Sequence, residues 1–128
     1  MRCRLADHFQ GKDSTVRDLF ESFRQAVEAC GPVSVYAQKT RIVFQVRARF
    51  AGAAACRRWP NCGLWLKRRA THPLIRRVEF VGGRDYIHHF RLTEPGEIDD
   101  GLRELIREAY LTGAQQYGSQ PKRSAAAG

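Results

Sequence analysis

Arg41-Ile42-Val43-Phe44-Gln45-Val46-Arg47-Ala48-Arg49-Phe50 alternates apolar and polar side chains with the period of a strand that is buried on one face. Ile42, Phe44, Val46, Ala48 and Phe50 share one side. Arg41, Val43, Gln45, Arg47 and Arg49 share the other, and four polar residues among these five make it the wetter face. The stretch reads as one long strand of an antiparallel sheet.

The neighbouring segments continue the sheet. Upstream, Val33, Val35 and Ala37 alternate with Ser34 and Tyr36, and Lys39-Thr40-Arg41 lies in the hairpin turn that joins the two strands. Downstream, a third strand is expected from Ala51 to Arg57, weakly signalled because it holds four Ala and one Gly. Trp59-Pro60-Asn61-Cys62-Gly63 reads as a turn, and Leu64-Trp65-Leu66-Lys67-Arg68 alternates again. Val78 and Phe80 then face Tyr86 and Phe90 across a glycine pair. A three-residue Gly82-Gly83-Arg84 loop gathers the apolar residues of both strands on one side, whereas a two-residue loop would separate them.

Two helices bracket these strands. Residues 14 to 31 place Val16, Leu19, Phe20, Phe23, Val27 and Cys30 on one stripe, with Thr15 as the expected N-cap and Gly31-Pro32 as the stop. A second helix starts near Pro95 or Asp99 and carries Ile98, Leu102, Leu105, Ile106 and Ala109 at helical spacing. Each helix has a single apolar stripe, so both pack on the same face of the sheet. The expected class is α+β: two helices on one face of an antiparallel sheet of about five strands, in the order α-β-β-β-β-β-α or with one extra short strand.

A chain of 128 residues with 43% hydrophobic content suits one core. The reading is an N-terminal arm over 1–13, a single domain over 14–117 and a disordered tail over 118–128 with no apolar side chain larger than Ala. No stretch approaches the roughly 18 apolar residues of a membrane span, and no secretory segment is visible, so a cytoplasmic location is expected. Free thiols are then the default for Cys3, Cys30, Cys56 and Cys62.

The charge is concentrated. Lys plus Arg against Asp plus Glu stands at 5 to 5 over residues 1–38, at 13 to 2 over 39–91 and at 4 to 6 from 92 on. An Arg-rich composition of 18 Arg and 4 Lys accounts for the choice of base but leaves the scarcity of acids in the middle unexplained. A cationic middle between neutral and acidic flanks indicates a surface that meets an anion.

Three further segments bear on identity. The run from Cys30 to Phe44, then His89-Phe90-Arg91-Leu92, then Glu97-Ile98-Asp99-Asp100 leading to Ala109-Tyr110, resembles a small bacterial family, the domain of unknown function 5655, across about residues 16 to 112. The family has no established activity, so the resemblance implies a fold. Because its members include appendages to predicted nucleases, it also implies a nucleic-acid setting by analogy.

If the apolar residues turn toward the helices, alternation sends Tyr36, Gln45, Arg47, Trp65, Lys67, His89 and Arg91 to the open face. Aromatic rings and cations then share one surface, which is what single-stranded nucleic acid requires: Tyr36 and Trp65 stack bases while Lys39, Arg41, Arg47, Lys67 and Arg91 neutralise phosphates. His88 and His89 point to opposite faces. His88 is expected as a hydrogen-bonded inner residue, and His89 as a neutral imidazole among Arg47, Lys67 and Arg91.

Two other functional readings, and a bland one, use the same residues. A cupped sheet with a pocket at His89, Arg47 and Trp65 could hold a small anionic ligand or serve an uncharacterised enzyme, and a basic face could dock an acidic protein. The bland account makes Tyr36 and Trp65 a minor core and the arginines a solvated surface. No metal or cofactor is expected. Cys56 and Cys62 lack zinc-ligand spacing, Lys39-Thr40 lacks the glycine loop and helix of a nucleotide-hydrolysis motif, and only Glu79 and Asp85 supply carboxylates in the basic segment. The balance weighs against catalysis.

Overall fold

The structure, a computed structural model, describes residues 5–114; Cys3 and the tail from 118 lie outside the described residues. A 3₁₀ turn at Leu5–Phe9 precedes α1 (Ser14–Glu28), six strands follow, and a 3₁₀ turn at Pro95–Glu97 leads into α2 (Asp100–Ala114). The strands are β1 (Ser34–Ala37), β2 (Ile42–Gln45), β3 (Arg49–Ala55), β4 (Pro60–Leu66), β5 (Arg77–Phe80) and β6 (Tyr86–Arg91). All neighbouring pairs are antiparallel, in the spatial order β1-β2-β3-β4-β6-β5. The α+β class holds, with the additional strand.

Both helices cover one face. Leu19, Phe20, Phe23 and Val27 of α1 join Leu102, Leu105, Ile106 and Ala109 of α2 over Ile42, Phe44, Ala51, Ala53, Leu64 and Phe90. Phe23 meets Phe44 and Phe90 edge-on, with centroids 5.5 and 5.9 Å apart, a favoured ring geometry. The alanines of β3 are small where both helices lie against that strand. Leu5 and Phe9, from the segment read as an arm, also pack against this core, and Phe9 sits 5.1 Å from Phe20.

Helix ends follow local chemistry. The N-cap of α1 is Asp13, with its carbonyl accepting from the Val16 N–H, rather than Thr15. Gly31 follows α1 with φ +147°, and the Tyr110 hydroxyl of α2 occupies the space a Cβ would need, donating to the Pro32 carbonyl at 2.8 Å. Of the two candidate starts of the second helix, the one near Asp99 holds, since α2 begins at Asp100. Pro95 opens the 3₁₀ turn, while the Asp99 carboxylate accepts from Leu102 N–H and from His72 Nε2 at the head of α2.

The 41–50 stretch is two strands, not one. After Gln45 the chain turns: Val46 N–H donates to the Ala48 carbonyl, and the N–H groups of Arg47 and Ala48 both donate to the Gly113 carbonyl of α2 at 3.0 Å. The turn is held by the far end of the chain, so local alternation could not reveal it. Pairing then shifts, with Phe44 opposite Ala51 but Gln45 opposite Arg49. Phe50 is thus the extra residue of a β-bulge, which sends it into the core, 5.5 Å from Tyr110, and leaves Arg49 exposed.

The segment read as a turn at residues 59–63 also differs. Pro60 begins β4, where the first position of a strand tolerates a residue without an N–H, and Asn61, Cys62 and Gly63 are paired with β3. The glycine hairpin agrees with the three-residue reading. Val81 N–H donates to the Asp85 carbonyl, Phe80 stands opposite Tyr86, and Gly82 and Gly83 both have positive φ, at +102° and +58°.

Candidate binding face

The register places one unbroken row across the open side of the sheet: Tyr36, Val43, Gly52, Gly63, His89 and Arg77 stand opposite one another on six successive strands. Its centre is a pair of glycines. Glycine in a strand interior weakens the strand and marks a close approach by another group, and here that group is visible. The edge of the Trp65 ring would lie 3.8 Å from a Cβ on Gly52 and 4.0 Å from one on Gly63. Trp65 therefore lies along the glycine floor, half-buried, with Ile87 opposite it on β6.

A cavity of about 530 Å³ opens over this floor. Arg41, Arg49, Trp65, Asn61, Glu79 and His89 line it. Arg41 leaves the β1–β2 turn with its Cδ 3.8 Å from where a Cβ on Gly52 would lie, and the bulge delivers Arg49. Both guanidiniums are exposed, and neither forms a salt bridge among the described residues. A second cavity of about 360 Å³ adjoins through Arg49 and Trp65 and reaches Gln45, Lys67 and Asp85.

Each residue expected on the face has a definite place. Tyr36 is on the open side of β1, three strands from Trp65, and its hydroxyl donates to Gln45 Oε1 at 2.8 Å. Lys39 is exposed at the tip of the β1–β2 turn, which the Gln38 N–H closes onto the Arg41 carbonyl. Lys67 pairs with Asp85 at 2.6 Å. Arg91 stacks on Trp59, its guanidinium 4.3 Å from the ring centroid, in a cation–π contact. Tyr36, Lys39 and Arg91 line neither cavity, and nor does Arg47, which sits in the turn against Gly113 because the predicted strand is broken there.

The two adjacent histidines do face opposite ways. His88 is fully buried; its Nε2 accepts from Ala70 N–H at 2.8 Å, and its Nδ1 therefore carries the proton and donates to the Tyr86 carbonyl. Burial lowers its pKa from the ordinary histidine value. His89 does not lie in the expected ring of cations. The register puts Arg77 directly opposite and Glu79 diagonally across, so His89 Nε2 meets Glu79 Oε1 at 2.9 Å. The hydrogen bond from His89, with the charges of Arg77 and Arg41, holds the Glu79 carboxyl below its usual range.

Gly52, Gly63, Arg49, Asn61 and Glu79 are site residues that the reading of the sequence did not select. The interior glycines carried a usable signal, since a Gly in each of two adjacent strands is a mark of close approach. Glu79 carried one too, since the three-residue glycine loop puts Phe80 opposite Tyr86 and thereby places Glu79 on the face of His89.

Among the described residues no group of three or more His, Cys, Asp or Glu could hold a metal ion, and no helix is long and apolar enough to cross a membrane. Cys30, Cys56 and Cys62 are free thiols, and burial raises the pKa of Cys62 strongly. No curated protein and no solved structure matches this chain. Residues 5–113, nearly all of the described fold, match the family described as Domain of unknown function (DUF5655), and the chain belongs to that family.

Proposed function

We propose that the open sheet face binds single-stranded nucleic acid, with one nucleotide unit seated in the cavity over Gly52 and Gly63. The observation that carries this reading is the grouping of an accessible Trp65 ring with Arg41 and Arg49, two guanidiniums without salt-bridge partners among the described residues. A base stacks on an aromatic face whatever its identity, and guanidinium forks take phosphate oxygens in pairs. Arg91 on Trp59 extends the same chemistry along the face, and Tyr36 lies toward the opposite edge. The formal charge of +9 favours encounter with any polyanion.

The size of the cavity supports a second reading. A volume of about 530 Å³ suits a free anionic small molecule, and the same residues would hold it. Titrating a labelled single-stranded oligonucleotide across a salt series separates the two. A strand that contacts several cations loses affinity with a log–log slope of about −0.7 per phosphate neutralised. Trp65→Ala should weaken binding by about 1–3 kcal/mol, the range for one stacked base. Absence of oligonucleotide binding at low salt would defeat the nucleic-acid reading and leave the small anion.

A further inference from the structure

Glu79 is out of place on a face built only for phosphate. Residues 39–91 contain 13 bases and two acids, and the other acid, Asp85, is engaged by Lys67 at 2.6 Å. Glu79 projects from β5 onto the open side and lines the cavity with Trp65, Arg41 and His89. Its Oε1 accepts from His89 Nε2 at 2.9 Å, with Arg77 3.8 Å away, while Oε2 makes no hydrogen bond among the described residues. A carboxylate at this point repels phosphate oxygens. It can only accept hydrogen bonds, so the ligand group it suits is an N–H or O–H donor.

The nucleobases differ in what they offer such an acceptor. Adenine and cytosine present one amino group next to a ring acceptor, and uracil presents one N–H between two carbonyls. Guanine alone places two donors, N1–H and the N2 amino group, side by side on one edge, with the O6 acceptor next to them. A carboxylate takes the two donors together, and a guanidinium beside it takes O6. Glu79 and Arg41 both line the cavity with Trp65, so one surface offers the two groups together.

Resting on the nucleic-acid reading above, we infer that the cavity selects guanine: the base stacks on Trp65, its N1–H and N2–H bond to Glu79, O6 meets Arg41, and Arg49 holds the adjoining phosphate. His89 orients the carboxylate through its Nε2 hydrogen bond and is a positioning residue. The glycine floor leaves the depth for the base, since a side chain on Gly63 would approach Ile87 Cγ2 to 3.2 Å and fill the space beside Trp65.

Three short oligouridines test this, identical except for a central guanosine, inosine or adenosine, with binding followed by fluorescence anisotropy at low salt. Inosine lacks only the N2 amino group, and the wild-type protein should bind the guanosine strand roughly tenfold more tightly than either of the others. Glu79→Gln should level the three affinities while tightening the weaker two, because a negative charge leaves the face. Circular dichroism of the variant confirms that this exposed position leaves the fold intact. Equal wild-type affinities with a normal salt slope overturn guanine selection and leave nucleic-acid binding standing. Retention of the preference in Glu79→Gln overturns it as well, and failure to bind any strand overturns both readings.

Discussion

The two faces of this sheet are built from alternate residues of the same strands, yet they answer to different constraints. On the covered face, β3 and β4 present Ala51, Ala53, Cys62 and Leu64 to two helices, and every one is buried. On the open face, the same strands present Gly52, Ala54, Asn61, Gly63 and Trp65 around a cavity rimmed by Arg41, Arg49, Glu79 and His89. Burial of apolar area fixes the first set and makes it insensitive to which apolar residue is used, within its volume. Nothing in folding calls for the second. Two facing glycines weaken adjacent central strands, and guanidiniums crowd one surface, so the open face carries a cost that binding would explain.

The largest expected effect breaks the covered face. Phe44 is fully buried between Phe20 and Phe23, and Phe44→Ala should cost about 3–5 kcal/mol from lost transfer energy and a residual cavity. A urea midpoint reads this directly. A loss below about 1 kcal/mol would mean that the helices do not hold the sheet in its shape.

His88 and His89 sharpen the contrast at the scale of one peptide bond. Both nitrogens of buried His88 are committed in its neutral form, one accepting from Ala70 and the other donating to Tyr86, and burial depresses its pKa. The unfolded chain therefore binds the proton more readily than the folded one. Stability should be flat above about pH 6.5 and fall as the pH drops below it, toward the folded pKa. Urea midpoints between about pH 7.5 and 5.5 measure the slope, and His88→Gln should flatten it while lowering the plateau. An unchanged slope in that variant would assign the acid sensitivity to another group.

How much of this was legible depends on the range of the interaction responsible. The stripes of α1 and α2, the inner-face alternation of Ile42 and Phe44, the three-residue glycine loop and the opposed histidines are local patterns, and each predicts its structure correctly. The turn at Val46–Ala48 is not local, because its N–H groups are satisfied by Gly113, and it removed Arg47 from the face while the bulge supplied Arg49. The pairing of His89 with Glu79 follows from the register of that same glycine loop, whereas the placement of β6 beside β4, which brings both residues to Trp65, rests on strand order, which no periodicity encodes. Pro60 and Gly63 favour a turn by composition, and a central strand absorbed both because Pro60 falls at its first residue and Gly63 lies opposite Gly52.

Arg47 and Arg49 give the smallest and most discriminating comparison. They are two residues apart and both exposed, but one lies on a turn against α2 and the other lines the cavity beside Trp65. Replacing either by Ala should leave stability within about 0.5 kcal/mol, as for surface sites with no special role. Arg49→Ala should make the salt slope of oligonucleotide binding shallower by about 0.7, the loss of one phosphate contact on a single strand. Arg47→Ala should leave that slope unchanged. Equal effects from the two variants would mean that the excess charge of residues 39–91 acts as a diffuse cloud, since a built site has to distinguish a cation in the cavity from one two residues away.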